Sequence, residues 1–534
     1  MVEKLETLLI LLGILGILAV IAERVRFPFP ILLVISGLVI GCIPGLPEVR
    51  LRPETVLFVI LPPLLFSAAW NFPWEDFRAN LIPIFGLAVG LVLATMVCVA
   101  FAATWLIPGM TLAAGCVLGA IVSPPDAVSA TAVLKNVRVP RRLSTILEGE
   151  SLVNDSSGLV AYHFAVAAVV TGAFSFARAS GDFVWTATGG ILYGWLVGIV
   201  AEHIHRQLRE PAVQITLTIL TPYLAYLPAE KIGISGVLAV VAAGLHVGHR
   251  SWVALTPESR LQREAIWKFI DYFLNGLVFI VIGLQFPSII RQLEGQSVWK
   301  LALVGAGISL VVILVRFAWI FPLAKVQRML MKRYGDESPT LSRNALIVAS
   351  WAGMRGVVSM AAALALPTLI ANGEAFPQRH IIIFVTFCVI FVTLVFQGIT
   401  LPFLARWLKV EEADTDYRSE ADARILLLEE IVNEIGRIVV HSTDSRQKDS
   451  LEIWRVHYQD RIDSMRQRMQ LPADENRAVM QEELNVFPRL MDHARRHLKQ
   501  MRRDGKISEE VRKRIEYDFD LEQQRIQRIL GRMV

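Results

Sequence analysis

The chain has 534 residues, of which 54% are hydrophobic and only 19% charged, with a mean hydropathy of +0.50. A soluble protein of this length would carry far more charge, so that class is excluded. The formal net charge of +5 is modest and leaves no nucleic-acid footprint.

The apolar residues come in long blocks, and a block of about 20 spans a bilayer as a helix. About thirteen candidate spans follow in chain order, near residues 5–22, 29–44, 55–70, 82–106, 111–134, 145–172, 183–203, 212–227, 232–248, 266–287, 298–322, 346–370 and 380–408. The two weakest are 55–70, which is short, and 212–227, which contains Thr216, Thr218 and Thr221. The first block has Lys4 as its only nearby cation and lacks a small-residue cleavage site, so it reads as a span and not a cleaved signal. Cys42, Cys98, Cys116 and Cys388 all fall inside apolar spans at no metal-like spacing, and read as small core residues without disulfides. Lys and Arg concentrate in the odd-numbered loops, most of all in KNVRVPRRLS (135–144) and LAKVQRMLMKRYGDESPTLSRN (323–344). By the positive-inside rule those loops are cytoplasmic, the N-terminus is outside and the C-terminus inside.

The composition changes after residue 410. Residues 411–534 mix acidic and basic side chains, and Ile425, Leu428, Ile431, Ile435 and Val439 recur at helical spacing. This part reads as soluble amphipathic helices forming a cytoplasmic tail, regulatory or for assembly, behind a membrane domain of residues 1–410. The tail has no Gly-rich phosphate loop, metal-ligand spacing or nucleophile motif. No enzyme activity or cofactor is expected, and the tail's ligand is not legible.

Polar residues interrupt the apolar blocks at three places. Residues 148–158 read EGESLVNDSSG, and in a helix positions 148, 151, 152 and 155 share a face. Glu148, Ser151 and Asp155 then form one stripe, flanked by Glu150 and Asn154. A hard monovalent cation needs oxygen ligands, which a carboxylate and a hydroxyl supply. The same carboxylate can hold a proton, so the two compete for one site. Glu148, nearer the start of the span, reads more readily as a cap or part of a structural polar network. The preceding span contains GAIVSPPDAVSATAVL (119–134), where Pro124 and Pro125 remove two backbone donors. The helix should break near Ser123–Pro125, leaving Asp126 at the start of a second half-helix, where the dipole favours a carboxylate. The alternative is a simple proline kink capped by Asp126. The third place is SWAGMRGVVSMAAALALP (350–367), where Gly353 and Gly356 flank Arg355. Here Arg355 either balances the carbonyl end of a half-helix or snorkels to the interface. The same choice applies to Arg316, near the cytoplasmic end of its span. His163, two turns beyond Asp155, reads as a buried structural histidine. The broken spans are the fifth and twelfth, which fits two inverted six-helix repeats behind one extra helix.

These residues carry a resemblance. EGESLVND, LPPLLFSAAW (61–70), GAIVSPPDAVSA (119–130), NGLVFIVIGLQF (275–286) and GMRGVVSMA (353–361) resemble, in the same order, blocks of the sodium/proton exchanger family, the electroneutral branch of the cation:proton antiporters. The resemblance covers roughly residues 5–408. It implies an all-α polytopic fold with two crossed broken helices, a homodimer in the cell membrane, and elevator-type alternating access. It makes Asp155 the transport carboxylate and Ser151 a cation ligand, with Asn154 in place of the second aspartate of electrogenic relatives. Ser123 and Asp126 join them as candidate ligands at the break. It pairs Glu150 with Arg316 and has Arg355 stabilise the broken span. One titrating carboxylate implies one proton per cation and no net charge moved. Two departures bear on selectivity: Ser123-Pro124-Pro125 stands where many members have Thr-Asp-Pro, and Ser67 where many have Glu. The expected substrates are Na+, with Li+ or K+ open, and H+. The rival readings are a K+/H+ antiporter, a gated cation channel, which would need a continuous polar pore, and a membrane-anchored signalling protein.

Overall fold

With no water in a hydrocarbon core, the backbone must satisfy its own hydrogen bonds, and helices do this within one segment. A computed structural model of the protein describes all residues except 1, 26, 44–52, 135–138, 173–175, 294, 334–340, 371–372, 411–414, 442–444, 472, 505 and 532–534. Among the described residues the structure is helical apart from loops and one isolated bridge between Leu369 and Ala375. The chain divides into two units, Met1–Glu411 and Glu412–Val534.

In the first unit, α1 (Val2–Val25) and α2 (Phe29–Gly41) are followed by α3 (Pro53–Asn71) and α4 (Leu81–Leu106). The next helix is interrupted: α5a (Leu112–Val122) ends before the prolines and α5b (Ala127–Leu134) begins after them. Then come α6 (Arg141–Thr171), α7 (Phe176–Gln207), α8 (Pro211–Lys231), α9 (Gly236–Ala254) and α10 (Pro257–Leu284). The long α11 (Val298–Arg333) precedes a second interrupted helix, α12a (Arg343–Trp351) and α12b (Val357–Leu364), and α13 (Arg379–Trp407) closes the unit. Starts are marked by the expected chemistry. Thr111 Oγ1 accepts from the Ala114 N–H at 3.2 Å, and Thr256 caps α10 ahead of Pro257.

Among the described residues seven helices are long and apolar enough to cross a membrane, and three shorter ones are apolar. The 31-residue α6 is not among them because EGESLVND dilutes its hydropathy. The weak segment at 212–227 is a full helix whose hydroxyls turn inward on their own backbone: Thr218 donates to Ile215 O at 2.7 Å and Thr221 to Leu217 O at 2.7 Å. Two expectations need correcting. The basic stretch from residue 323 is not loop as far as Arg333, because α11 runs through it. Strong helix formers carry the helix beyond its apolar part. Cys42 and Cys98 are exposed, not core, although all four cysteines are free.

Two groups of helices emerge from the packing. α4, α5a, α6, α11, α12 and α13 pack mainly on one another, while α3, α7, α8 and α9 form a second group, with α2 and α10 as a close pair. Close backbone approach seals the first group and the α2–α10 pair: a side chain at Gly119 would strike the Met96 backbone of α4, and one at Gly283 would strike Val34 of α2.

The second unit contains α14 (Thr415–His441), α15 (Ser445–Gln470), α16 (Ala473–Arg503) and α17 (Glu509–Gly531). Ile425, Leu428 and Ile462 form its small core, with Val432, Tyr458 and Met465 against it. Ile431, expected on the apolar face, is 40% exposed, and Val432 packs in its place. Arg468 grips Glu483 at 2.8 and 3.0 Å, and Arg495 meets Asp520 at 2.6 Å.

Candidate functional site

The two interruptions meet. Between Val122 and Ala127, and between Trp351 and Val357, the backbone leaves the helix, and the Asp126 N–H donates to Met354 O at 2.6 Å. Gly356 lies so close to the Asp126 carboxyl that any side chain there would overlap it.

Arg355 is fully buried and does not snorkel. Its Nε donates to Val122 O at 2.9 Å and its Nη2 to Ser123 O at 3.4 Å, while Nη1 bonds Gly353 O. Its own N–H donates to Thr393 Oγ1 at 3.0 Å. The guanidinium therefore covers the carbonyl end of α5a, where the helix dipole is negative.

Arg316 is likewise buried. Its Nη1 and Nη2 donate to Glu150 Oε1 and Oε2 at 2.6 and 2.7 Å, and both side chains are 1% exposed. Its Nε donates to Ala349 O at 3.1 Å, so one side chain ties α6, α11 and α12a together. Such a two-pronged pair fixes both position and orientation.

The 148–158 stretch is wholly helical, within α6. Its two faces part company. Glu150 and Asn154 turn inward; Asn154 Nδ2 donates to Pro125 O at 2.7 Å, and Asn154 Oδ1 is buried without a hydrogen-bond partner among the described residues. Glu148, Ser151 and Asp155 open onto a cavity of about 240 Å³ shared with Pro124, Pro125 and Asp126 of the first interruption. Close approach of α6 to the break depends on Gly158, since a Cβ there would run into the Pro124 ring. Asp126 Oδ2 accepts from Ser129 Oγ at 2.7 Å, and with Glu148 and Asp155 it makes three carboxyls that line one cavity.

Not every candidate reaches it. Ser123 is buried and its hydroxyl donates back to Ala120 O at 3.1 Å; it is not among the cavity residues. His163 is exposed, not buried, and leans on the Tyr162 ring at 5.6 Å. Ser67 also lies off the cavity, donating to Asp271 Oδ2 at 2.6 Å. Residues that sequence reasoning missed are Asn71, Asn275, Thr131 and Ser359, all lining the cavity. Asn71 closes the apolar run of α3 and Asn275 opens the apolar last part of α10, a signal that was available. A cleft of this kind, largely apolar but with carboxyl, hydroxyl and amide oxygens set at interrupted helices, can hold a small cation or a proton.

A family model for the transmembrane sodium/hydrogen exchanger matches residues 8–407. The chain belongs to the sodium/hydrogen exchanger family. It is 32% identical over 515 residues to an uncharacterized Na(+)/H(+) exchanger of Escherichia coli K12, covering 92% of this exchanger and 94% of that one. It is 35% identical over 408 residues to a sodium, potassium, lithium and rubidium/H(+) antiporter of Bacillus pumilus, covering 74% of this chain and 60% of that protein. In fold it is similar to the sodium proton antiporter MjNhaP1 of Methanocaldococcus jannaschii, with a TM-score of 0.61 at 20% identity, over 77% of this chain and 99% of that one. The exchanger is thus a multi-pass membrane transporter, not an enzyme, and it exchanges monovalent cations for protons.

Proposed function

We propose that this exchanger is an electroneutral, elevator-type Na+/H+ antiporter in which Asp155 holds a cation or a proton by turns. The observation that carries the reading is the joint opening of Asp155, Ser151 and Asp126 into one cavity at the two interruptions. Asp155 and Ser151 supply hard oxygen ligands, and Asp126 adds a second carboxyl from the break. The unpartnered Asn154 Oδ1 supports a ligand role for this amide after a small local shift. Glu150 and Arg316 neutralise each other, and Arg355 is matched to carbonyls, so neither arginine competes with the cation for Asp155. The cavity draws on both helix groups, from Leu64 and Asn71 of α3 to Asp155 of α6, which supports alternating access by movement of one group against the other. We further assign thirteen spans arranged as inverted repeats, an outside N-terminus, a homodimer in the cell membrane, and a cytoplasmic regulatory tail from residue 411.

K+/H+ exchange is the second reading, favoured by the potassium in the name of the Bacillus pumilus relative and by the absence of acids at Pro124 and Ser67. The test is proton flux in proteoliposomes with added Na+, K+ or Li+, with and without a clamped membrane potential. Asp155→Asn should abolish exchange while leaving insertion intact. Normal exchange in that variant, or flux that follows the clamp, would sink the proposal.

A further inference from the structure

Asp271 is a further carboxylate among the membrane helices of the exchanger, on α10, and exchange at Asp155 makes no use of it. Ser67 Oγ, 3% exposed, donates to its Oδ2 at 2.6 Å. Its other oxygen, Oδ1, is buried and has no hydrogen-bond partner among the described residues. An ionised carboxylate accepts through both oxygens, so half of this one is unsatisfied. An ionisable group at membrane depth is expensive, and its default meaning is ion handling.

The pair lies one turn behind the transport cavity on both of its helices. Asn71 Nδ2 donates to Ser67 O at 2.9 Å, and Asn275 Nδ2 donates to Asp271 O at 2.8 Å. Asn71 and Asn275 line the same cavity as Asp155. With their N–H groups turned backward, their amide oxygens are left for a cation. The positive group nearby is held aside: Arg263, two turns earlier on α10, has its guanidinium carbon 4.5 Å from the centre of the Trp70 ring, and its Nε is buried without a hydrogen-bond partner among the described residues. That arrangement keeps an arginine within the field of Asp271 without closing a contact ion pair on it.

We propose that Asp271, Ser67, Asn71 and Asn275 form a staging site for the monovalent cation on the α3–α10 wall, from which it passes across the cavity to Asp155 and Ser151. This rests on the reading of Asp155 as the exchange carboxylate. The ligands are all oxygens, suited to a hard monovalent cation. A fixed negative charge at the cleft raises the local cation concentration before the carrier site is filled.

The test uses the full-length protein in proteoliposomes, reading initial exchange rate against Na+, K+ and Li+ concentration. Asp271→Asn should raise the half-saturating concentration about tenfold and leave the maximal rate within about twofold, because Asp155 is untouched. Arg263→Gln should lower the half-saturating concentration, and Ser67→Ala should raise it by less than Asp271→Asn. A purely structural role would instead lower Tm and maximal rate together with half-saturation unchanged, and that result overturns the proposal. Should Asp271→Asn fail to fold, unchanged half-saturation in both Arg263→Gln and Ser67→Ala overturns it equally. Cation-dependent rise in Tm provides a readout without flux: it should persist weakly in Asp155→Asn and vanish in Asp155→Asn with Asp271→Asn. Exchange surviving in Asp155→Asn alone would sink the carrier assignment and leave the Asp271 comparison intact, so the two failures are told apart.

Discussion

Glu150→Ala leaves the Arg316 guanidinium inside the protein with one remaining partner, the Ala349 carbonyl at 3.1 Å. Two bonds of 2.6 and 2.7 Å are lost, and with Arg316 only 1% exposed water cannot replace them. Removing one member of a buried ion pair costs about 3–5 kcal/mol, most of it the penalty of the stranded charge. The pair ties α6 to α11, so the change should lower Tm and slow exchange together. Replacing both members separates the causes. Glu150→Ala combined with Arg316→Met removes the stranded charge, and should be less destabilised than Glu150→Ala alone. The assay is thermal unfolding of purified protein, run beside proteoliposome flux for each variant. An unchanged Tm in Glu150→Ala, or a double variant whose losses simply add, would refute the reasoning.

Gly158→Ala should cut exchange about tenfold or more without blocking insertion, because its Cβ would push Pro124 and the break away from Asp155; wild-type flux would count against that packing. In the tail, Ile462→Ala, at a site 1% exposed, should cost about 2–4 kcal/mol. Hydrogen exchange should show lost protection around Ile425–Val432 and Tyr458–Met469, with α5a and α12b unaffected. Protection unchanged across the tail would show that these residues are not its core.

The sequence announced the interruptions and the polar stripe, because both are local. Two adjacent prolines remove backbone donors wherever they stand, and the spacing of Glu148, Ser151 and Asp155 is a property of one helix. Spacing alone did not give the partner of each charge; the Glu150–Arg316 pair came from the family resemblance. Arg355 serves carbonyls of a different interrupted helix, 232 and 233 positions away. Arg316 could equally have snorkelled on sequence alone; its pairing with Glu150 is set by packing across a separation of 166. The Ser67–Asp271 contact spans 204 positions; Ser67 was noted only as a departure from the family pattern, and Asp271 did not stand out, since a lone aspartate carries no periodic signature. The misplacement of Ile431 has the opposite origin: it fits the helical repeat, but the neighbouring helix presents its apolar side to Val432 instead.

Gly119 and Gly283 let whole backbones touch, and surfaces in such contact have no slack in which to slide. The walls around Asp155 are different, made of side chains projecting from both helix groups. A molecule built this way has a preferred tear line, as a perforated sheet does, and it runs past the carboxylates. A compact apolar wedge of about the cavity's 240 Å³ would lock that line by bulk alone. An inhibitor of this exchanger therefore has no need to imitate an ion.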